Sequence, residues 1–192
     1  CRFFSWHCLF FVLIFSYYSC NNLNESNRIN QECYDLIYAD LELEFFLEEK
    51  KLHGFSELYF ESKCFFNKIY LDLYSDFTVD SIYLDGKKTC FERNNDFIVL
   101  NVHNNIEDRF IVKVFYQGNP VEAENPPWEG GFVWNKDPQD LHWVGVACQK
   151  EGGGLWWPSK HVLCDEPDSM QISLVVDSLY SAISNGFLHK VK

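Results

Sequence analysis

With 192 residues, the chain has room for one folded domain behind a targeting segment. Hydrophobic residues make up 47% and aromatic residues 18% of it, which excludes the low-hydrophobicity composition that keeps disordered chains from burying a core. A formal net charge of -12, with no Lys/Arg cluster to offset it locally, repels phosphate backbones and excludes nucleic acid as a partner.

The chain opens on Cys1 to Cys20, where one basic residue precedes the unbroken apolar run Leu9 to Phe15 and then small or polar residues. This order reads as a secretory signal segment. The run is short against the ~20 residues that cross a bilayer, which favours a cleaved signal over a permanent span. Cys20, after the small Ser19, offers a second route to the membrane as a lipidated cysteine, although Tyr17 stands where such sites carry leucine. A polar linker follows over 21–33, and within it Asn24-Glu25-Ser26 matches a glycosylation acceptor. With Cys1, Cys8 and Cys20 assigned to the targeting segment, five cysteines remain: Cys33, Cys64, Cys90, Cys148 and Cys164. Their odd number, wide spacing and lack of a C-x-x-C pair point to buried free thiols rather than a zinc knuckle or a disulfide scaffold.

From residue 34 strands dominate. Ile37, Ala39, Leu41, Leu43 and Phe45 share one parity while Asp40, Glu42 and Glu44 take the other, the period of a strand with one wet face. Ile69, Leu71 and Leu73 repeat the pattern, as do Phe110, Val112, Val114 and Tyr116. Asp85-Gly86 sits between two such runs, Ser81 to Leu84 and Lys87 to Phe91, and suits a two-residue hairpin turn. Gln171 to Val176 is a last strand before a turn at Ser184-Asn185-Gly186. No long capped amphipathic helix is found, so the fold class is all-β, a sandwich or curved sheet assembly. The composition changes between Pro120 and Pro167, which hold all six prolines, with five of the six tryptophans between Trp128 and Trp157. Ordering so many loop residues requires that the rings pack beneath the loops or form a partner surface.

Catalytic patterns are missing. No H-E-x-x-H brings two histidines to one metal, and no G-x-S-x-G elbow presents a nucleophile. His161 and Cys164 imitate a metal pair without a second pair of known spacing, and Gly152-Gly153-Gly154 lacks the Lys and Ser/Thr of a phosphate loop. Asp165, Glu166 and Asp168, neighbours in a Pro-containing loop, read as solvated or capping groups rather than an acid-base pair.

In order, Pro127-Trp128-Glu129-Gly130-Gly131-Phe132-Val133-Trp134, Gly145-Val146-Ala147-Cys148-Gln149, Leu155-Trp156-Trp157-Pro158, Asp165-Glu166-Pro167 and Ser184-Asn185-Gly186 resemble the aminopeptidase N family of gluzincin zinc peptidases, most of all its bacterial members. The resemblance runs from Tyr34 to the C-terminus and implies that 34–192 is that family's curved β-sandwich-like N-terminal domain. It implies that no catalytic residue, metal ligand or cofactor lies in this chain, zinc belonging to a catalytic domain that the sequence does not reach. The fragment alone is then inactive, and the intact protein removes N-terminal residues from peptides. Its partners are its own catalytic domain and a peptide substrate, and its location is exported: periplasmic, cell-surface or secreted. One site residue carries over, Gln149, which matches the Gln or Glu that the family's N-terminal domain lends to the substrate's amino end; an amide carbonyl accepts from an ammonium. The chain departs from the family at Trp156-Trp157-Pro158-Ser159-Lys160-His161-Val162, where relatives read Trp-Trp-Pro-Cys-Lys-Asp-His. The alternative is a non-catalytic β-sandwich binding module that uses its Trp-rich loops.

Overall fold

The computed structural model describes residues 31–102, 108–126, 128–148, 152–160 and 165–191. Eleven strands and a single 3₁₀ turn at Gly153–Leu155 make up the regular structure among them. The expectation of an all-β chain holds. The signal segment, Cys20 and the glycosylation acceptor lie outside the described residues. No helix among the described residues is long and apolar enough to cross a membrane.

Six strands form the main sheet: β1 (Tyr34–Phe46), β2 (Lys51–Ser62), β4 (Phe77–Leu84), β5 (Lys87–Thr89), β8 (Arg109–Gly118) and β11 (Ser169–Val175), in the order β11-β1-β2-β8-β4-β5. Every pairing is antiparallel except β1 with β11. A three-stranded sheet of β3 (Lys68–Asp72), β7 (Phe97–Asn101) and β6 (Glu92–Asn94) and a ribbon of β9 (Gly131–Lys136) with β10 (His142–Ala147) complete the set. One apolar cluster joins them. It takes Leu41, Leu43, Leu58, Phe60, Phe110, Val112, Val114 and Tyr116 from the main sheet, Ile69, Leu71, Ile98 and Leu100 from the small sheet, and Phe132 from the ribbon. Each such side chain contributes about 1.5–3 kcal/mol by leaving water, so the two sheets are held as the layers of a sandwich.

The alternation foreseen in β1 is correct from Ala39 onward, with Ala39, Leu41 and Leu43 buried and Glu42 and Glu44 exposed. Before Ala39 the phase changes. A register shift between Leu36 and Tyr38 against β2 inserts one residue, so Tyr34 and Leu36 turn inward and Ile37 does not share the core parity. β3 and β8 bury every residue named for them. At the β4–β5 hairpin Leu84 faces Lys87, and Asp85 and Gly86 take φ of 49° and 74°. Positive φ at both centres is the primed turn whose twist matches its strands. Asp85 adds a carboxylate that accepts from the Ile111 N–H at 2.8 Å.

The cysteine expectation is corrected. Cys33 and Cys64 form a disulfide, with Cα atoms 4.8 Å apart, and Cys90 is exposed rather than buried. The cause is register: β1 and β2 pair from Tyr34 opposite Ser62, so the residues just outside those ends meet. The Lys63 and Cys64 N–H groups then donate to the Cys33 carbonyl at 2.7 and 3.2 Å.

Candidate functional site

Two features set the last third of the chain apart from the sheets: a polar seam beneath it and an apolar surface on it. The seam begins where β11 stops pairing. β11 covers the edge of β1 from Tyr38 to Glu44, which leaves the edge at Tyr34 to Leu36 without a strand. Two side chains take the strand's place. Lys160 Nζ donates to the Tyr34 carbonyl, and Asp165 Oδ1 accepts from the Leu36 N–H at 3.3 Å. Lys160 and Asp165 also pair with each other, at side-chain exposures of only 2% and 8%. Backbone groups that would otherwise be orphaned are thereby satisfied, as buried groups must be. Asp165 is therefore neither solvated nor a cap, contrary to the expectation for its loop.

Burial lifts the Asp165 carboxyl above the usual carboxylate range against the pull of Lys160. Its hydrogen bond to Asp35 holds that carboxyl below the usual range, and Lys63, 3.2 Å from Asp35, assists. The seam continues to β3, where the Tyr34 hydroxyl donates to the Tyr70 carbonyl at 2.9 Å and accepts from the Tyr70 N–H at 2.8 Å. Gln31 Nε2 donates to Asp72 Oδ2 at 2.7 Å. Asp72 and Ser159 exchange backbone hydrogen bonds of 2.7 and 3.0 Å, Tyr74 N–H reaches the Gly154 carbonyl at 2.9 Å, and the Tyr116 hydroxyl holds the Trp156 carbonyl at 2.9 Å. Segment 152–160 is thus fastened along its length.

The tryptophans divide between the two roles weighed for them. Trp157 is buried, and Trp134 and Trp156 pack against the core, with Trp134 stacked on Phe132 at 5.4 Å between ring centroids. Trp128 and Trp143 remain 66% and 58% exposed. Leu141 and Val146 of the ribbon are also exposed, and so are Leu179, Ile183, Phe187, Leu188 and Val191 beyond β11. The last segment passes the ribbon at His142, whose ring lies 6.2 Å from that of Tyr180 and whose Nε2 meets Glu48 Oε1 at 2.9 Å. That contact holds the Glu48 carboxyl below its usual range. The foreseen turn at 184–186 appears as a bend, with Gly186 at φ 87°.

The ribbon is attached by backbone. Phe132 N–H donates to the Val121 carbonyl at 2.7 Å and Ala123 N–H to the Phe132 carbonyl at 2.9 Å. Gly131 sits at φ 148°, where a Cβ would lie 2.6 Å from the Ala123 nitrogen. Only glycine permits this approach.

Gln149 lies outside the described residues, as do His161 and Cys164. What the structure places is its frame: Cys148 at the end of β10, and Gly152, whose N–H donates to the Cys148 carbonyl at 3.2 Å. No group of three or more His, Cys, Asp or Glu side chains suited to a metal occurs among the described residues. The seam was missed in the sequence because its partners are 126 and 129 residues apart and no spacing announces them.

No protein-family profile matches the sequence, and no curated protein matches it either. Solved structures do. An M1 zinc metallopeptidase from Deinococcus radiodurans, a mutant bound to a Tyr-Ser-Ala substrate, superposes with a TM-score of 0.57 at 17% identity over 76% of this chain and 32% of its own. Native leukotriene A4 hydrolase from Saccharomyces cerevisiae gives a TM-score of 0.56 at 14% identity over 76% of this chain and 24% of its own.

The chain has the fold of part of the M1 zinc metallopeptidases. It spans about a quarter to a third of the length of these structures, and the expected all-β, sandwich-like fold class is the one they share.

Proposed function

We propose that this chain is the N-terminal β domain of an exported zinc aminopeptidase, forming one wall of the substrate site and the surface on which the catalytic domain docks. The observation that carries the reading is the number of large apolar side chains left exposed, Trp128 and Trp143 before β11 and Leu179, Ile183, Phe187, Leu188 and Val191 after it, on a fold shared with zinc peptidases. Apolar side chains exposed in such number fit a contact surface that lacks its cover. In this reading Gln149 receives the amino end of the peptide, its carbonyl oxygen accepting from the ammonium. Zinc would be held by the catalytic domain, where it polarises the scissile carbonyl and activates water. Export draws support from the Cys33–Cys64 disulfide, since such bonds persist in oxidising compartments.

Two measurements test this. The reading frame downstream of Lys192 is expected to encode H-E-x-x-H, and a frame that ends without it overturns the reading. In the intact protein, Gln149→Ala is expected to raise KM for aminoacyl substrates about tenfold, the loss of one hydrogen bond to a charged group. An unchanged KM removes Gln149 from the site. Tight binding of the chain to a folded partner that carries no zinc would favour the non-catalytic binding module instead.

A further inference from the structure

We propose that the Cys33–Cys64 pair is a redox-responsive closure for the polar seam: oxidised, it seals the start of β1 against the segment after β2, and reduced, it releases the seam while leaving the sheets folded. The proposal rests on where the bond lies and does not depend on the peptidase reading. Cys33 immediately precedes Tyr34, and Tyr34 is the hub of the seam. Its hydroxyl spans the Tyr70 backbone, its carbonyl receives Lys160, and the next two residues meet Asp165 through the Asp35 carboxyl and the Leu36 N–H.

Among the described residues, the contacts of residues 31–36 with β3, Lys160 and Asp165 are polar, and the packing of the Tyr34 and Leu36 side chains in the core and the pairing of β1 with β2 add to them. A buried ion pair such as Lys160–Asp165 contributes little net stability, because desolvation offsets the attraction. Isolated hydrogen bonds contribute modestly as well. Among the described residues the disulfide is the covalent tie at this end of the molecule, and it restrains the end of β1 that β11 does not cover. The inner strands need no such tie, since Leu58, Phe60, Val112 and Val114 are wholly buried on both sides of the β2–β8 pairing.

The chemistry is thiol–disulfide exchange. Closure oxidises the two thiols. Two electrons and two protons pass to an acceptor disulfide, oxidised glutathione or an oxidoreductase in its disulfide form, which leaves as two thiols. Opening reverses this. Cys64 is exposed and Cys33 half-buried, so an incoming thiolate attacks the Cys64 sulfur and Cys33 departs as the thiolate.

The test uses the whole chain, equilibrated in glutathione buffers from oxidising to reducing, quenched in acid, alkylated and mapped by mass spectrometry. Cys33 and Cys64 are expected to be protected together in oxidised buffer and labelled together in reduced buffer, while the exposed Cys90 serves as the labelled control. Amide exchange on the same samples is expected to quicken at least tenfold on reduction at Leu36, Tyr70 and Asp72, whose N–H groups donate within the seam, and to stay unchanged at Val112 and Val114. A Cys33→Ser, Cys64→Ser double variant should exchange like the reduced protein and ignore reductant. Labelling of Cys33 and Cys64 in oxidised buffer overturns the proposal. So does a seam whose exchange ignores reductant, or one that quickens no more than the core, which would make the bond a global staple. Should the double variant fail to fold, the exchange measured on the unmutated protein decides.

Discussion

The β2–β8 pair and the β9–β10 ribbon are both antiparallel, both rich in aromatic and β-branched residues, and opposite in what they do with them. β8 buries Phe110, Val112, Val114 and Tyr116 without exception. β10 buries none of its six residues fully and leaves Trp143 and Val146 exposed. The pair has neighbours on both edges and a sheet stacked on its inner face, whereas the ribbon packs on the core through Phe132, Trp134 and Val144 on one face and leaves Trp143 exposed on the other. Similar local sequences thus yield a finished core in one place and an unfinished surface in the other. What differs is how many layers arrive to cover each.

The contrast can be broken in graded ways. Phe110→Ala, which removes a ring stacked 5.2 Å from Phe60, is expected to cost about 3–5 kcal/mol in a urea unfolding titration. A loss below 1 kcal/mol would mean that the pair is not the structural centre. Gly131→Ala forces a side chain into positive φ against the backbone of residues 121–123 and is expected to cost about 1–3 kcal/mol, with amide protection falling in the ribbon before the main sheet. Equal loss in both would show that the ribbon is not a separate unit. At the small end, Trp143→Ser should change stability by no more than about 0.5 kcal/mol, as exposed substitutions do. The same change should weaken binding to the catalytic domain of the proposed enzyme at least tenfold, and a large stability loss would place this side chain in the core instead.

How much of this was legible depended on distance along the chain. The alternations of β3 and β8 and the Asp85-Gly86 hairpin were readable, because a strand's period and a turn's φ requirement are local. The phase change in β1 was not, since a bulge is set by the register of β2 against it and Ile37 looks like every other apolar residue in its run. Cys33 and Cys64 were misread for the same reason: 31 residues separate them, and only strand pairing brings them together. The tryptophans of the Trp-rich third could be recognised as structural or surface-forming only as a group. Composition does not say that Trp157 is buried while Trp143 is exposed.

The parallel pairing of β11 with β1 has a consequence for biosynthesis. Asp40 and Gln171, neighbours across that pairing, are 131 residues apart in sequence, so on a ribosome the edge of β1 stays open until β11 has emerged. Contacts of such separation form slowly. The acidic wet face of β1, with Asp40, Glu42 and Glu44, then acts during that interval as a guard, keeping the open edge charged when another nascent chain could pair with it.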